Sequence, residues 1–181
     1  SDWAPGHAAF GLVLQFNAVA GNLDDGDGLF DGIAANLERA IQLNPDYGPA
    51  YASLAFVVRR HKLDFAESER LYQKAFQLGW QNHWGYALLL DSIGRQAEAT
   101  SHYELALLAD PLSVPIRAQH AWSLYCDGQF EASIEQWKAF DSIHGDNSEA
   151  ALGQVHALIR LGQGRKAASS SKRWRQPTKA K

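Results

Sequence analysis

The acidic residues near the start of the chain are the first that could do chemistry, because closely spaced carboxylates can bind calcium. Residues 22–27 contain Asn22, Asp24, Asp25 and Asp27. An EF-hand loop needs oxygen ligands at alternating positions, an internal glycine and a glutamate at its twelfth position. The spacing in this segment does not meet those requirements. A solvated loop between two helices is therefore predicted here, and no metal site.

Other groups that resemble catalytic or ligand-binding motifs lack the context that the chemistry needs. Residues 162–166 are rich in glycine and basic residues, but a phosphate-binding loop must follow a strand. Cys126 could be a nucleophile; an inert or partly buried thiol on a helix is favoured. The seven histidines are scattered, with no pair at metal-ligand spacing on one face. No Gly-x-Ser-x-Gly, His-Glu-x-x-His or phosphate-loop motif is present, so we expect a non-catalytic chain that needs no cofactor.

Charge is unevenly distributed along the 181 residues, although the net charge is only -3. Residues 1–50 hold seven acids and one base, whereas residues 165–181 hold seven bases and no acid. This asymmetry is typical of two differently charged ends of one elongated body. Residues 172–175 could touch nucleic acid or lipid headgroups, but a solvated tail is favoured because the rest of the chain is not basic. Direct binding of nucleic acid is therefore not expected.

The cysteine count and the hydropathy pattern limit the compartment. A single cysteine excludes an internal disulfide and fits a reducing compartment, so the cytoplasm is expected. The longest apolar run, residues 10–16, is far shorter than the ~20 residues that a membrane helix needs. No basic segment precedes that run, so it does not have the pattern of a signal peptide.

A repeat with a period of 34 residues dominates the second half of the chain. Four columns keep this period and one residue character each: Gly94, Gly128 and Gly162; Leu90, Leu124 and Leu158; Ala87, Ala121 and Val155; Ala99, Ser133 and Ala167. The glycines are predicted to end the first helix of each hairpin, where a positive φ is needed. The small residues are predicted to lie where the two helices of a hairpin cross. Tyr103 and Trp137, four residues after such a position, are predicted to fill the gap to the next hairpin.

These features resemble the tetratricopeptide repeat family, whose second helices carry a small residue, an aromatic residue four positions later, an alanine and a closing proline. The matching sets are Ser68, Tyr72 and Ala75 in the second unit, and Ala99, Tyr103, Ala106 and Pro111 in the third. The resemblance covers about residues 7–168. It implies an all-α fold, a right-handed superhelix of antiparallel helix hairpins (an α-solenoid) with about five repeats.

Some positions depart from the family pattern, and some segments resemble a narrower group. The unit around residues 80–85 is short, Phe140 replaces an alanine, and Gly145 replaces a closing proline. Residues 44–57, 94–99 and 109–113 resemble repeats found beside winged-helix or cyclase domains in bacterial signalling proteins. That similarity suggests the repeat region of a transcriptional regulator or another signalling protein.

Ten helices are predicted from the repeat and from capping signals. They cover residues 6–20, 30–43, 49–61, 65–78, 83–93, 96–109, 115–127, 130–143, 149–161 and 164–174. Because each hairpin packs only on its neighbours, residues 1–174 are expected to form a single repeat domain. Residues 175–181 are expected to form a flexible basic tail.

The resemblance also implies where a partner would bind, since the first helices of such repeats line a concave face. The positions that correspond to this face are Phe56, Arg59, Arg60, Trp84, Asp91, Ser92, Trp122, Tyr125, Cys126, His156 and Arg160. Aromatic and arginine side chains dominate binding energy at protein interfaces. A scaffold that binds a protein or an extended peptide on this face is therefore predicted.

Two alternatives to a peptide-binding scaffold remain open at this stage. A self-associating structural module is one, so a homo-oligomer is possible, and the sensing domain of a transcriptional regulator is the other. The strongly polar final helix, residues 164–174, favours a true C-terminal cap over an open end. Trp84 and Trp122 could also pack between helices instead of contacting a partner.

Overall fold

The computed structural model describes residues 5–6, 28–145 and 148–174, and the side chains of the same residues other than 144 and 171–174. This part of the chain contains nine α-helices and no strand. They are α1 (Leu29–Leu43), α2 (Gly48–Val57), α3 (Phe65–Gln77), α4 (His83–Ser92), α5 (Gln96–Ala109), α6 (Val114–Cys126), α7 (Phe130–His144), α8 (Ser148–Arg160) and α9 (Gly164–Trp174). The all-α prediction is confirmed. Most of the predicted helix 6–20, the acidic loop 22–27 and the tail 175–181 lie outside the described residues.

One segment has a different helix type from the predicted one. The helix predicted over residues 49–61 agrees to within one residue with a continuous helical segment over residues 48–62, but only α2, up to Val57, is α-helical, and Val58–Lys62 form a π-helical turn. Leu63 then takes a left-handed φ of 54°. The next residue, Asp64, accepts a hydrogen bond from the backbone N–H of Glu67 at 3.0 Å and caps α3. The wider turn and the left-handed residue together place the capping carboxylate at the start of α3.

The glycine and leucine columns belong to one hydrogen-bonded turn that ends three of the helices. Gly94, Gly128 and Gly162 have φ values of 78°, 79° and 72°. The residue after each glycine donates its backbone N–H to the carbonyl of the leucine in the same unit at 2.9 Å: Arg95 to Leu90, Gln129 to Leu124, and Gln163 to Leu158. This is the Schellman arrangement, which satisfies carbonyls at a helix end. The predicted role of the glycines is confirmed.

The chain divides into two compact units, residues 1–89 and 90–181, with the boundary inside α4. In the first, called unit 1, α2 packs against both α1 and α3. The largest fully buried side chains of unit 1 are Tyr72, Ile33, Leu37, Leu89 and Val57. The buried Ser68 hydroxyl donates to the carbonyl of Ala55 at 2.8 Å, which ties α3 to α2. A single repeat domain over residues 1–174 stays a prediction.

In the second unit, called unit 2, each helix packs on the next one from α5 to α9. Trp137, Phe140 and Tyr103 are almost fully buried there. Ala99, Ser133 and Ala167 are also buried, and the Ser133 hydroxyl donates to the carbonyl of Ala121 at 2.8 Å. Small residues therefore lie at the predicted helix crossings, and rings fill the space between hairpins. Within the described residues, no helix has the length and apolarity to cross a membrane.

Candidate functional site

Four of the predicted site residues come together on one face of unit 2. Trp122 and Tyr125 extend from α6, and His156 and Arg160 extend from α8. The ring centroids of Trp122 and Tyr125 are 5.8 Å apart, those of Trp122 and His156 are 5.7 Å apart, and those of Tyr125 and His156 are 6.2 Å apart. Ring pairs at these separations attract one another beyond simple burial. The three rings are half-buried and form a continuous surface.

Arg160 covers one end of that surface. Its guanidinium carbon lies 6.0 Å from the centroid of the Tyr125 ring and 4.9 Å from that of the Phe130 ring. A stacked guanidinium keeps the N–H groups at its edge available for a carboxylate or another anion. Arg160 is exposed, and it makes no ion pair with any acidic side chain in the described part of the chain. We call Trp122, Tyr125, Phe130, His156 and Arg160 the aromatic–arginine cluster.

The hydrophobic core of unit 2 fixes the cluster from behind. Trp122 packs edge-on against the buried Trp137, with ring centroids 5.4 Å apart at 78°. Tyr125 and Phe130 pack on a second group of buried residues that includes Ile134 and Leu158. The rings therefore have one edge in the core and the other toward solvent. For Trp122, the sequence predicts either packing between helices or contact with a partner. Its position in the structure allows both.

Phe130 belongs to the cluster but was missed by the sequence prediction. It is the first residue of α7 and follows the turn at Gly128. The equivalent positions one period away are Gln96 and Gly164. The sequence did contain a signal for this site residue. Position 130 holds an aromatic ring, whereas the equivalent positions in the neighbouring repeats hold glutamine and glycine.

Asp91 and Ser92 lie at the end of α4, in unit 2. The carboxylate of Asp91 accepts hydrogen bonds from the Tyr103 hydroxyl at 2.7 Å and from the Ser123 hydroxyl at 2.6 Å. Both oxygens therefore have a partner inside unit 2, and the side chain connects α4 to α5 and α6. Ser92 is exposed. Asp91 has a clear architectural role, whereas its part in binding stays a prediction.

The remaining predicted site residues lie in unit 1. The Arg59 guanidinium carbon is 5.3 Å from the centroid of the Phe56 ring, and Phe56 itself is buried. Arg60 is exposed on the π-helical turn. Trp84 is half-buried on α4, and its indole N–H has no hydrogen-bond acceptor among the described residues. Unit 1 thus has an arginine beside an aromatic ring, as the aromatic–arginine cluster of unit 2 does. It also has the indole N–H of Trp84, which finds no acceptor among the described residues.

Cys126 and His120 are the two titratable residues of unit 2 whose burial bears on their chemistry. The sequence predicts an inert or partly buried thiol at Cys126; the thiol is exposed at the end of α6, so the partial burial is wrong, and its inertness stays a prediction. His120 is buried in unit 2, where its ring stacks on Tyr103 at 5.5 Å and 19°, and neither ring nitrogen has a partner in the described structure. Burial, with a smaller contribution from the charge of Arg117, lowers the pKa of His120 to about 4. In the described residues, no three His, Cys, Asp or Glu side chains group as a metal site requires.

Comparison with solved structures identifies the fold. YrrB, described as a TPR protein with an unusual peptide-binding site, is 14% identical over 88% of this chain and 79% of its own, with a TM-score of 0.68. MamA (AMB-1) is 13% identical over 92% and 94% of the two chains, with a TM-score of 0.74. PilW, a type IV pilus biogenesis factor, is 15% identical over 93% and 77%, with a TM-score of 0.76. No protein-family model and no curated protein matches the chain. With its helix hairpins, Schellman turns and small crossing residues, the chain has the fold of a tetratricopeptide-repeat α-solenoid.

Proposed function

We propose that the chain is a non-catalytic scaffold that binds an extended segment of a protein or peptide on the face formed by α6 and α8. The observation that carries this proposal is the aromatic–arginine cluster. It combines half-buried rings with an exposed arginine on helices that the core holds in place. YrrB, which has a similar fold, is described by its peptide-binding site, and this supports the same use of the fold here.

The rings of the cluster are held rigidly, which suits them to contact a partner. Trp122 is fixed by Trp137, and Tyr125 lies between Trp122 and Phe130. A side chain that is already immobilised loses little conformational entropy when a partner covers it. Large aromatic surfaces that require no ordering are typical of the few residues that dominate an interface. The free energy of binding is therefore expected to come mainly from these rings.

The charge of the cluster indicates an acidic segment as the partner. Arg160 is its one permanent charge, and no acid in the described residues compensates it. A carboxylate of the partner can accept two parallel hydrogen bonds from the guanidinium, with an apolar side chain on the rings beside it. Nucleic acid is disfavoured, because its affinity comes from several cations that each neutralise a phosphate.

Selection from a random peptide library on the immobilised full-length chain tests this proposal. We expect enriched peptides to carry an acidic residue next to an aromatic or branched aliphatic one. Arg160→Gln should weaken such a peptide about tenfold in fluorescence anisotropy, which corresponds to a loss of about 1.4 kcal/mol. Arg39→Gln removes the same charge from an exposed position on α1, outside the cluster, and should leave the affinity unchanged. Failure to enrich any peptide, or equal affinity for both variants, would contradict the proposal.

A further inference from the structure

A row of leucines is exposed on α5 and on the turn that follows it. Leu105 is 42% exposed and Leu108 is 79% exposed, and they lie three residues apart on one helix face. Leu112, in the turn after α5, is 66% exposed. Isolated exposed leucines are ordinary, but a contiguous apolar row is typical of a surface that contacts another molecule. We call these three residues the leucine ridge.

A groove of 590 Å³ lies between α7 and α9 in the same unit. Its floor is apolar and is formed by Ile134, Leu158 and Leu161. Arg165 and Lys166 line the side formed by α9. We call it the α7–α9 groove. An apolar floor with charged walls is suited to a helix face that carries leucines in its centre and charges at its edges.

The charges beside the ridge and those on the α9 side of the groove are of opposite sign. Residues 96–113 contain three acids (Glu98, Glu104 and Asp110) and no lysine or arginine, whereas α9 contains four bases and no acid. Glu98 pairs with Arg95, but Glu104 and Asp110 make no ion pair among the described residues. Arg165 and Lys166 also make none there. The ridge thus carries acids that its described neighbours do not compensate, and the α9 side of the groove carries bases that its described neighbours do not compensate. The α7 side of the groove carries the Lys138–Glu135 ion pair and Glu131, so the basic character is confined to α9.

We infer that the leucine ridge of one copy of this chain docks in the α7–α9 groove of a second copy. The leucines cover the apolar floor, and Glu104 and Asp110 face Arg165 and Lys166. Within one chain the two surfaces do not meet, because Leu108 is 79% exposed. Both halves of a complementary pair are nevertheless present in a single sequence, and this identifies a second copy as the partner.

The inferred contact joins two different surfaces, so it is heterologous. After one copy has docked, its own groove and the ridge of its neighbour remain open. Such a contact continues into longer assemblies unless its rotation closes a ring. We therefore expect oligomers larger than a dimer, with a size that increases with protein concentration and decreases with salt, because salt screens the charges at the rim of the contact.

Two variants of the full chain, each with one surface disabled, test the inference. Leu108→Glu places a charge in the ridge, and Arg165→Glu/Lys166→Glu reverses the charge at the groove. All three positions are exposed, so the fold should persist, and circular dichroism checks this. In sedimentation velocity, we expect the unmodified chain to associate and each variant alone to be monomeric. Leu63→Glu, at a leucine that is 65% exposed in unit 1, is the control and should associate as the unmodified chain does.

Mixing the two variants gives the decisive measurement. The groove of the Leu108→Glu chain is intact, and so is the ridge of the Arg165→Glu/Lys166→Glu chain. Their equimolar mixture should form a one-to-one dimer and nothing larger. The inference is overturned if the unmodified chain stays monomeric, if either variant alone still associates, or if the mixture stays monomeric.

Discussion

Gly153 of α8 lies directly against the indole of Trp137 on α7. A Cβ atom at position 153 would overlap the Trp137 ring, which is fully buried and cannot move aside. Gly153 is buried as well. The glycine is therefore needed for the close approach of the two helices, and its φ is not in the positive range.

Gly153→Ala is expected to destabilise unit 2 by about 1–3 kcal/mol, the usual cost of overpacking a core. Gly32→Ala is the matched control, because position 32 lies on the exposed side of α1, where an added Cβ atom would have no neighbour within 4 Å. That change should stabilise α1 by about 0.5–1 kcal/mol, since alanine loses less backbone entropy in a helix. Urea denaturation measures both, and effects of the same sign would contradict this account.

Asp91 is expected to contribute to stability through its two hydroxyl donors. Asp91→Ala removes the acceptor of the Tyr103 and Ser123 hydroxyls, so we predict a loss of about 2–3 kcal/mol in the free energy of unfolding. Glu104→Ala removes an acid of the same charge from an exposed position and should change stability by less than about 0.5 kcal/mol.

A double-mutant cycle separates the hydrogen bond from other effects at this position. If Asp91→Ala and Ser123→Ala act through the same contact, the double variant should lose less than the sum of the two single losses. Full additivity would show that the hydrogen bond between Asp91 and Ser123 contributes nothing measurable.

The buried His120 makes stability depend on pH. Its pKa is lowered to about 4, so the folded chain keeps the ring neutral whereas the unfolded chain protonates it near pH 6.5. The unfolded state then binds more protons, and stability is lost as pH falls from 6.5 toward 4. The loss should reach about 2 kcal/mol by pH 5 and about 3 kcal/mol at the lower end.

His120→Phe tests that dependence, because phenylalanine retains a ring to stack on Tyr103 and does not titrate. Urea denaturation at pH 7 and pH 5 should show a smaller difference for the variant than for the unmodified chain. This interval avoids most of the titration of the carboxylates. An unchanged difference would mean that another group causes the pH dependence.

The left-handed residue after the π-helical turn is a leucine. Leu63 has a φ of 54° and is 65% exposed, so it bears backbone strain and buries little apolar surface. Leu63→Gly should stabilise unit 1 by about 0.5–1 kcal/mol, because glycine adopts this conformation without a steric cost. Leu112→Gly, at a residue of equal exposure without positive φ, should be destabilising by a similar amount. Thermal unfolding of both variants shows whether the stability change at Leu63 comes from relief of backbone strain or from loss of an exposed leucine side chain.

The repeat made the hairpins predictable. Apart from the segment around the π-helical turn, the predicted helix ends agree with the described ones to within one residue. For α4, α6 and α8 the reason is physical: each of these helices ends with a glycine and a leucine four residues before it, so the signal is local and recurs. Pro49 and Pro115 lie in the first turn of α2 and α6 as expected, since proline needs no N–H partner there.

Features that depend on contacts between repeats could not be predicted in the same way. The hydrogen bond between Ser123 and Asp91 joins residues 32 positions apart, and neither residue type signals it. The stacking of Arg160 on Phe130 depends on how α7 and α8 pack. The π-helical turn has no proline or glycine to mark it. Four of the predicted site residues nevertheless meet in one cluster, because the family pattern assigns them to the same face of successive first helices.

The arginines of unit 1 provide the last prediction, which rests on the proposed binding function. Arg60 is exposed and makes no ion pair among the described residues, whereas Arg59 packs over the ring of Phe56. Arg60→Ala should therefore leave the free energy of unfolding within about 0.5 kcal/mol of its original value. Arg59→Ala should lower it by about 0.5–1 kcal/mol through the lost cation–π contact.

Capture of an acidic partner should respond to both changes together. For an acidic peptide bound at Phe56, Arg59 and Arg60 of unit 1, Arg59→Ala/Arg60→Ala should weaken binding by about thirtyfold, or about 2 kcal/mol, as expected for residues that dominate an interface. Gln73→Ala, at an exposed position on α3, is the control and should bind as the unmodified chain does. Anisotropy titrations compare the two, with urea denaturation to confirm folding. If Arg59→Ala/Arg60→Ala leaves the affinity unchanged while Gln73→Ala abolishes binding, the partner contacts α3. The assignment of Arg59 and Arg60 to the binding face is then wrong.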